Sequence, residues 1–387
     1  MDTFQLHMEM SRIFDPSAAI NHAPGEVDIH FIPFRSSSGE ETAEVRSLHL
    51  IRNEVTGGLA DEMIRENREF SYPVFTPAGM QKNKGAILLL HGLNERRYDK
   101  YYTWAHRLVR DTGKSVILFP ISFHLNRGLA SWTDRHLMTE MAERRKQIFH
   151  TGDETYTFIN QALSIRLTES PERFFTSGLQ TCNDIISVLR QVKDGDHPLF
   201  TRDSYADIFA YSIGGLLAQV LYISNPDNLF SDSRLFLFCA GSLFGDMNGI
   251  SKVIMDPPAY ERIHKYYTDE LENKIRKSGV FADFFNNSKI GMAFRSMITP
   301  DRFSSVRERV FKNRSRQIFA LSLKDDKVIP PDKVSTALGE DNRNMEVLDF
   351  DYPYCHEMPF PFKLEKFKDK INEAFERVFL KAGVFLS

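Results

Sequence analysis

Two apolar runs follow one another in the middle of the chain, with a serine between them. Residues 206–211 suit a short buried strand, and residues 214–223 are apolar on nearly every side of a helix. Ser212 lies at the junction, and the small residues Ala210 and Gly214 flank it two positions away on either side. A sharp strand-to-helix turn needs small neighbours, because larger side chains there would collide with the backbone. Such a turn would place the serine hydroxyl beyond the sheet edge, beside a helix start that stabilises developing negative charge.

Further apolar runs predict the rest of a sheet. Continuous apolarity indicates burial on both faces, which is typical of central parallel strands. These runs are residues 85–90, 116–119, 234–240, 317–323 and 345–350. The side chains of residues 44–53 alternate with the period of two that is typical of a strand. Residues 70–75 suit a further strand.

Helical spacing of apolar residues separates several of these runs. Residues 101–109 repeat at i, i+3 and i+4, and Gly113 would end that helix. Similar faces occur at residues 171–192 and 364–378. Strand, helix and strand at these lengths form a βαβ unit, whose right-handed crossover joins parallel strands. The predicted fold class is therefore α/β, with a doubly wound, mostly parallel sheet.

The strand pattern stops between residues 242 and 314. Apolar residues there follow helical spacing, and phenylalanine and methionine are dense, which predicts a helical cap inserted after a strand. Residues 121–170 have a looser pattern and suggest an enlarged connection, in which the basic run 144–146 would be a solvated face. The predicted division is an N-terminal arm with little regular structure at 1–40, a first core part at 41–241, the cap at 242–314 and a second core part at 315–387.

Charge and composition argue against several classes of partner. The 387 residues carry a formal net charge of -3, which does not favour nucleic acid or an anionic membrane surface. No apolar run has the length of a membrane span, and the N-terminus lacks the basic and apolar regions of a signal peptide. The 3 cysteines lie far apart, which argues against a disulfide framework and favours a cytoplasmic location. The oligomeric state is left open.

Metal and nucleotide motifs are not found in the sequence. It contains no His-Glu-x-x-His, no Cys-x-x-Cys, no phosphate-binding loop and no G-x-G-x-x-G after a strand. We therefore expect neither a metal nor another cofactor.

The residues around the serine resemble a known motif. Ala210-Tyr211-Ser212-Ile213-Gly214 is similar to the nucleophile elbow G-x-S-x-G of the α/β-hydrolase fold superfamily, with Ala210 in place of the first glycine. The resemblance runs from residue 85 to the C-terminus, interrupted by the cap, and is to uncharacterised bacterial members rather than to a named subfamily. The simpler alternative is a buried strand–helix junction with a capping serine.

The resemblance implies a base and an acid for Ser212. In this superfamily the acid follows the strand two beyond the elbow strand, and the histidine follows the last strand. Asp326 and His356 lie in those two predicted loops, which implies a catalytic triad of Ser212, His356 and Asp326. Asp325 is adjacent and stays open as an alternative acid. Asp246 is another, because some relatives carry the acid after an earlier strand.

An oxyanion hole is implied in the same way. His91-Gly92 resembles the dipeptide that opens the oxyanion loop of this fold, and Gly92 would let the backbone turn tightly toward a substrate. The match implies backbone N–H donors at Leu93 and Ile213.

The implied activity is that of a serine hydrolase, most simply on a carboxylic ester through a covalent acyl-enzyme. The cap would cover the apolar acyl group of a small-molecule substrate. An acyltransferase, a thioesterase or a peptidase would use the same residues, and a non-catalytic ligand-binding relative is a further alternative.

Overall fold

The computed structural model describes residues 2–36, 60–277, 279–339 and 344–387. The strand predicted at residues 44–53 lies outside the described residues. All the other predicted strands occur.

A nine-stranded sheet forms the centre of the described part of the chain. Its order is β1-β2-β3-β5-β4-β6-β7-β8-β9, and all neighbours from β5 to β9 are parallel. The pairs β1–β2, β2–β3 and β3–β5 are antiparallel. The prediction of a mostly parallel sheet is confirmed. The strands are β1 (Ile20–Ala23), β2 (Val27–Arg35), β3 (Glu69–Pro77), β4 (Asn83–Leu90), β5 (Ser115–Phe119), β6 (Phe200–Tyr211), β7 (Leu235–Phe238), β8 (Ile318–Leu323) and β9 (Met345–Leu348).

Helices cover both faces of the sheet. They are α1 (Thr3–Ile13), α2 (Arg65–Arg68), α3 (Asp99–Thr112), α4 (Arg135–Ile148), α5 (Gln161–Glu169), α6 (Glu172–Asp194), α7 (Ile213–Ser224), α8 (Pro257–Lys265), α9 (Leu271–Lys277), α10 (Gly279–Asn287), α11 (Lys289–Ser296), α12 (Ser304–Asn313), α13 (Pro331–Leu338) and α14 (Lys368–Leu386). A π-helical turn, Tyr266–Glu270, joins α8 to α9. None of the helices in the described ranges combines the length and apolarity needed to cross a bilayer.

Alternate side chains of the central strands enter two cores, one on each face of the sheet. In β4, Leu88 and Leu90 join a core completed by α6 and α7. Ile87 and Leu89 join a core completed by α3 and α14. Both faces of the strand are therefore apolar, which explains why continuous apolar runs predicted the strands.

The strand order reverses at β4. The chain leaves β4 through α3 to reach β5 on one side, and it later returns through α6 to β6 on the other side. In open α/β sheets, ligands bind beyond the carboxyl ends of the strands at such a reversal. The loop 91–96 after β4 and Ser212 after β6 meet at this point.

The N-terminal residues are more regular than predicted. Helix α1 packs against α3 and α14, and β1 and β2 extend the sheet. The expectation of little regular structure at 1–40 is wrong for the described part of that segment. The strand signal was weakened by Pro33, which lies in β2 beyond the end of β1, an edge position at which proline is tolerated.

The connection 121–170 contains two helices, α4 and α5, that the sequence did not predict. Part of the buried face of α4 is ionic, which removes the apolar stripe that identifies a helix. Arg145 is buried, and its Nε donates to Asp256 Oδ2 at 2.5 Å. The same carboxylate accepts the N–H of Ala259 at the start of α8. The basic run 144–146 is therefore not simply a solvated face.

The segment between β7 and β8 is helical and rests on the core. Helix α11 packs on α7. In the π-helical turn, the Tyr267 hydroxyl donates to the carbonyl of Pro171 at 2.8 Å and accepts the N–H of Phe175 at 3.0 Å, which ties the insertion to α6. The division of the chain into domains, with a cap at 242–314, stays a prediction.

Candidate active site

Ser212 occupies a sharp turn between β6 and α7. Its φ of 57° and ψ of -129° are a conformation that L-residues rarely adopt, and the surrounding packing must hold it. Gly214 allows the turn, because a Cβ there would lie 2.7 Å from the His91 carbonyl oxygen and 2.8 Å from that of Leu90. Ala210 is fully buried in β6 between Leu90 and Leu237, so the extra methyl group relative to the motif is accommodated in the sheet.

His356 follows β9 and reaches the serine. Its Nε2 lies 2.7 Å from Ser212 Oγ. Tyr211 contacts both the backbone and the side chain of this histidine. Its hydroxyl donates to the His356 carbonyl oxygen, and its ring stacks on the imidazole with centroids 5.5 Å apart. Burial raises the pKa of Tyr211 well above its usual value, so the hydroxyl keeps the proton that it donates.

Asp326 lies on the other side of the imidazole. Its Oδ2 is 2.7 Å from His356 Nδ1, and its Oδ1 accepts the N–H groups of Val328 at 2.9 Å and Ile329 at 2.8 Å. A carboxylate oxygen accepts, so Nδ1 carries the imidazole proton and Nε2 presents a lone pair to Ser212.

The two alternative acids lie elsewhere. The Asp325 side chain is exposed, and its backbone N–H donates to Tyr354 Oη at 3.2 Å. Asp246 Oδ1 lies 3.9 Å from Lys333 Nζ. Of the three carboxylates considered, Asp326 alone contacts His356 in the described residues.

The loop after β4 is fixed by His91 and Gly92. Ile121 N–H donates to His91 Nε2 at 2.8 Å, so the neutral ring carries its proton on Nδ1 and donates it to the Gly92 carbonyl at 2.8 Å. Complete burial lowers the pKa of His91 to about 3, which keeps it neutral. A Cβ on Gly92 would lie 3.1 Å from Tyr211 Cε1 and 3.3 Å from Ser212 Cβ, so glycine permits this close approach.

Two backbone N–H groups remain available beside the serine. Leu93 N–H donates to no other group in the described part of the chain. Ile213 is the first residue of α7, where a helix has no internal acceptor for its N–H. The N–H of Gly92, in contrast, donates to Tyr101 Oη at 3.0 Å, and that hydroxyl donates to Glu95 Oε1 at 2.6 Å.

Three cavities surround this loop, and Leu93 and Phe174 line all of them. The serine pocket, about 40 Å³, is lined by Ser212, Phe244, Met247, Ile263 and Val328 among others. The apolar pocket, about 60 Å³, is lined by Ile213, Leu216, Phe175, Cys182 and Phe294 among others. The polar cavity, about 250 Å³, is lined by Glu95, His124, Trp132, Arg166 and Arg173 among others.

The sequence predicted several residues around Ser212, but it did not predict every residue that positions the site. Asn94, Glu95 and Arg96, which follow Leu93 in the loop after β4, line the polar cavity. The positioning role of Tyr211 was missed, although its place beside Ser212 in the motif was a signal. Among the described residues, no three or more histidine, cysteine or acidic side chains are grouped to hold a metal ion.

The strand order, its reversal at β4 and the serine turn after β6 are those of the α/β-hydrolase fold. The resemblance seen in the sequence is therefore confirmed at the level of the fold.

Comparison with solved structures found likenesses at low identity. A thermostable esterase from Pseudomonas putida is 10% identical, with a TM-score of 0.44 over 99% of this chain and 88% of that chain. Carboxyl esterase 2 from Tuber melanosporum is 10% identical, with a TM-score of 0.42 over 83% and 82% of the two chains. A serine hydrolase from Cycloclasticus zankles is 12% identical, with a TM-score of 0.37 over 80% and 95%.

A search of curated proteins found no significant match to the sequence. Residues 1–387 match the sequence profile of a family described as "Family of unknown function (DUF6051)". The chain belongs to this family, DUF6051, and it has the α/β-hydrolase fold.

Proposed function

We propose that the protein is a serine hydrolase that cleaves carboxylic esters through a covalent acyl-enzyme. The observation that carries the proposal is the continuous hydrogen-bonded chain from Ser212 Oγ through His356 to Asp326, with 2.7 Å at each step. A serine hydroxyl becomes a useful nucleophile when a base is ready to take its proton and an acid orients that base.

In the first half of the proposed reaction, Ser212 Oγ bonds to the ester carbonyl carbon while its proton passes to His356 Nε2. The carbonyl oxygen becomes an oxyanion, for which the N–H groups of Leu93 and Ile213 are the donors. The intermediate then collapses: the carbonyl re-forms, the bond to the alcohol oxygen breaks, and the alcohol leaves with the proton from His356.

In the second half, water replaces the alcohol. Its proton passes to His356 Nε2 as its oxygen attacks the acyl carbon. Collapse of the second intermediate releases the carboxylic acid and returns the proton to Ser212 Oγ. Asp326 accepts the hydrogen bond from His356 Nδ1 in both halves and stabilises the imidazolium that forms in each.

The two small pockets favour a short apolar acyl group. A cavity needs roughly 10–15 Å³ to hold one water-sized group. The serine pocket of about 40 Å³ therefore has room for about three such groups, and its lining is largely apolar. Phe244 and Ile263 lie in the segment predicted as the cap, which supports the expectation that this segment covers the acyl group.

Hydrolysis of p-nitrophenyl acetate, butyrate and octanoate tests the proposal. We expect acetate and butyrate to be cleaved faster than octanoate, and Ser212→Ala to lose about 10³-fold or more in kcat/KM on every ester. Ser335→Ala, an exposed serine on α13, serves as the matched control and should match the wild type. Undiminished activity in Ser212→Ala would contradict the proposal.

A further inference from the structure

The polar cavity adjoins the site of the proposed reaction but has a different lining. It shares Leu93 and Phe174 with the serine pocket and the apolar pocket, so it lies next to one of the proposed oxyanion donors. With about 250 Å³ it is much larger than either. None of the described aspartate, glutamate, lysine or arginine residues lines the two smaller pockets. Those that line the polar cavity are Glu95, Arg96, Arg166 and Arg173.

Arg96 brings a positive charge to this cavity that no described carboxylate matches. It lies in the loop after β4, three positions beyond Leu93, and its side chain is only partly exposed. Nη2 donates to the Trp132 carbonyl oxygen, and the guanidinium forms no ion pair with any described residue. Burial, and to a smaller extent the charge of Arg97, lowers the pKa of Arg96. A guanidinium nevertheless keeps its proton at neutral pH, so a cation that has lost part of its hydration faces the cavity.

Glu95 precedes Arg96 in the chain but does not neutralise it. Its Oε1 accepts from Lys100 Nζ at 2.5 Å and from the Tyr101 hydroxyl at 2.6 Å. Both donors belong to α3, so this carboxylate binds the loop to that helix and has its own cation there.

The other two arginines of the lining are bound to carboxylates. Asp61 Oδ2 accepts from Arg166 Nη2 at 3.0 Å and from Arg173 Nε at 2.7 Å. Glu169 Oε2 lies 3.9 Å from Arg173 Nη1. Arg96 is therefore the guanidinium of the described lining that is left for a ligand.

The unused donors of Arg96 are within reach of a ligand. Nε and Nη1 have no hydrogen-bond partner in the described part of the chain, and they are not enclosed as Arg166 Nη1 is. Trp132 lines the same cavity, so its bond to Nη2 fixes the guanidinium at the cavity wall. A carboxylate supplies both the opposite charge and the acceptor oxygens that such a group binds best.

We propose that the polar cavity binds a carboxylate on the alcohol portion of the ester, and that Arg96 is its ion-pair partner. The proposal rests on the proposed ester hydrolysis, which assigns the short acyl group to the small apolar pockets and leaves the polar cavity for the alcohol portion. The substrate class is then short-chain acyl esters of hydroxy acids. Arg96 is the residue that determines specificity for the leaving group.

Three esters test the assignment in the wild-type protein. Acetoxyacetate carries a carboxylate on its alcohol portion, acetoxyacetamide has nearly the same shape without the charge, and monoethyl succinate carries a carboxylate on its acyl portion. We expect kcat/KM for acetoxyacetate to exceed that for each of the other two by about tenfold or more. A value no higher than that for acetoxyacetamide would overturn the proposal and indicate a hydrated arginine. A preference for monoethyl succinate would overturn it by placing the anion on the acyl side.

A variant of Arg96 locates the effect. Arg96→Gln removes the charge, so we expect kcat/KM for acetoxyacetate to fall about tenfold while that for acetoxyacetamide stays within about twofold. Arg97→Gln is the matched control: it removes a charge from the next residue, which is exposed and screened by salt, and it should keep the wild-type ratio. An equal fall on both esters in Arg96→Gln would indicate a structural role and overturn the assignment, and so would an unchanged ratio.

The proposed function and the cavity assignment fail in different ways. Absence of hydrolysis on every ester, p-nitrophenyl acetate included, would overturn both. Hydrolysis of p-nitrophenyl acetate without a preference for acetoxyacetate would overturn the assignment of the polar cavity and leave the proposed function standing.

Discussion

Ser212 is held in a backbone conformation that an isolated serine would leave. A φ of 57° persists at Ser212 only where the surrounding structure holds it, and Gly92 and Gly214 permit the close packing around this turn. The hydroxyl is thereby aligned with His356, which Tyr211 and Asp326 orient from two sides. The placement of this one residue depends on β4, β6 and the loop after β9.

Replacing each aspartate in turn distinguishes the role of Asp326 from that of its neighbour Asp325. Asp326→Asn removes the carboxylate that selects the Nδ1–H form of His356, so we expect kcat/KM on p-nitrophenyl acetate to fall by about 10³- to 10⁴-fold. Asp325→Asn is the matched control, because that side chain is exposed and does not contact the histidine. A larger loss in Asp325→Asn than in Asp326→Asn would contradict the assignment of the acid.

The sequence alone left these two carboxylates as alternatives for a physical reason. Adjacent loop residues point in different directions, and only the fold decides which one meets the imidazole. Asp326 turns inward because its Oδ1 accepts two N–H groups of the following turn. The predicted positions Ser212, Asp326 and His356 do lie within hydrogen-bonding distance, and their catalytic role stays a prediction.

At the scale of elements, the crossing of α7 over the end of β4 sets the position of the serine. The helix approaches so closely that Gly214 faces two carbonyl oxygens, and at Gly215 a Cβ would lie 2.5 Å from the Ala240 side chain. Neither the backbone oxygens nor the Cβ of an alanine can move away by side-chain rotation, so the crossing leaves no room for a side chain at either glycine.

Gly214→Ala should therefore destabilise the fold. Its Cβ would lie 2.7 and 2.8 Å from backbone oxygens, and overpacking of this kind costs about 1–3 kcal/mol. Gly178→Ala in α6 has nothing within 4 Å of the new Cβ and should be neutral or stabilising, because alanine favours helix. Urea unfolding compares the two variants. Equal midpoints would contradict the close crossing of α7.

The central strands were predictable because burial on both faces leaves continuous apolar runs. Helices α4 and α5 could not be predicted in this way, because some of the side chains that they bury are charged. Arg145 and Arg166 point into the protein and meet Asp256 and Asp61, so the buried faces carry no full apolar stripe. The polar cavity was not predicted either. Its residues are far apart in sequence, and each is of a type that is usually found at the protein surface.

At the scale of the whole molecule, several histidines are buried in the neutral form. Burial lowers the pKa of His91 and His124 to about 3 and that of His197 to about 4. An unfolded chain protonates histidine near pH 6.5. Below that pH the unfolded state binds more protons than the folded state, so the free energy of unfolding falls as the pH falls.

Thermal unfolding between pH 7 and pH 5 tests this linkage. We expect the Tm to fall steadily below pH 6.5, with each fully neutral buried histidine contributing about 1.4 kcal/mol per pH unit at most. His197→Gln should make the slope shallower, whereas His136→Gln, at an exposed position, should keep it. A Tm independent of pH across this range would contradict the prediction.

Labelling with a fluorophosphonate, followed by mass spectrometry of the digested protein, tests the proposed nucleophile most directly. The reagent loses fluoride to an activated serine and leaves a stable phosphonyl ester on its Oγ. We predict a single adduct on the peptide that contains Ser212 in the wild-type protein, none in Ser212→Ala, and strongly reduced labelling in His356→Ala. An unlabelled wild-type protein, or an adduct on another residue, would contradict the account.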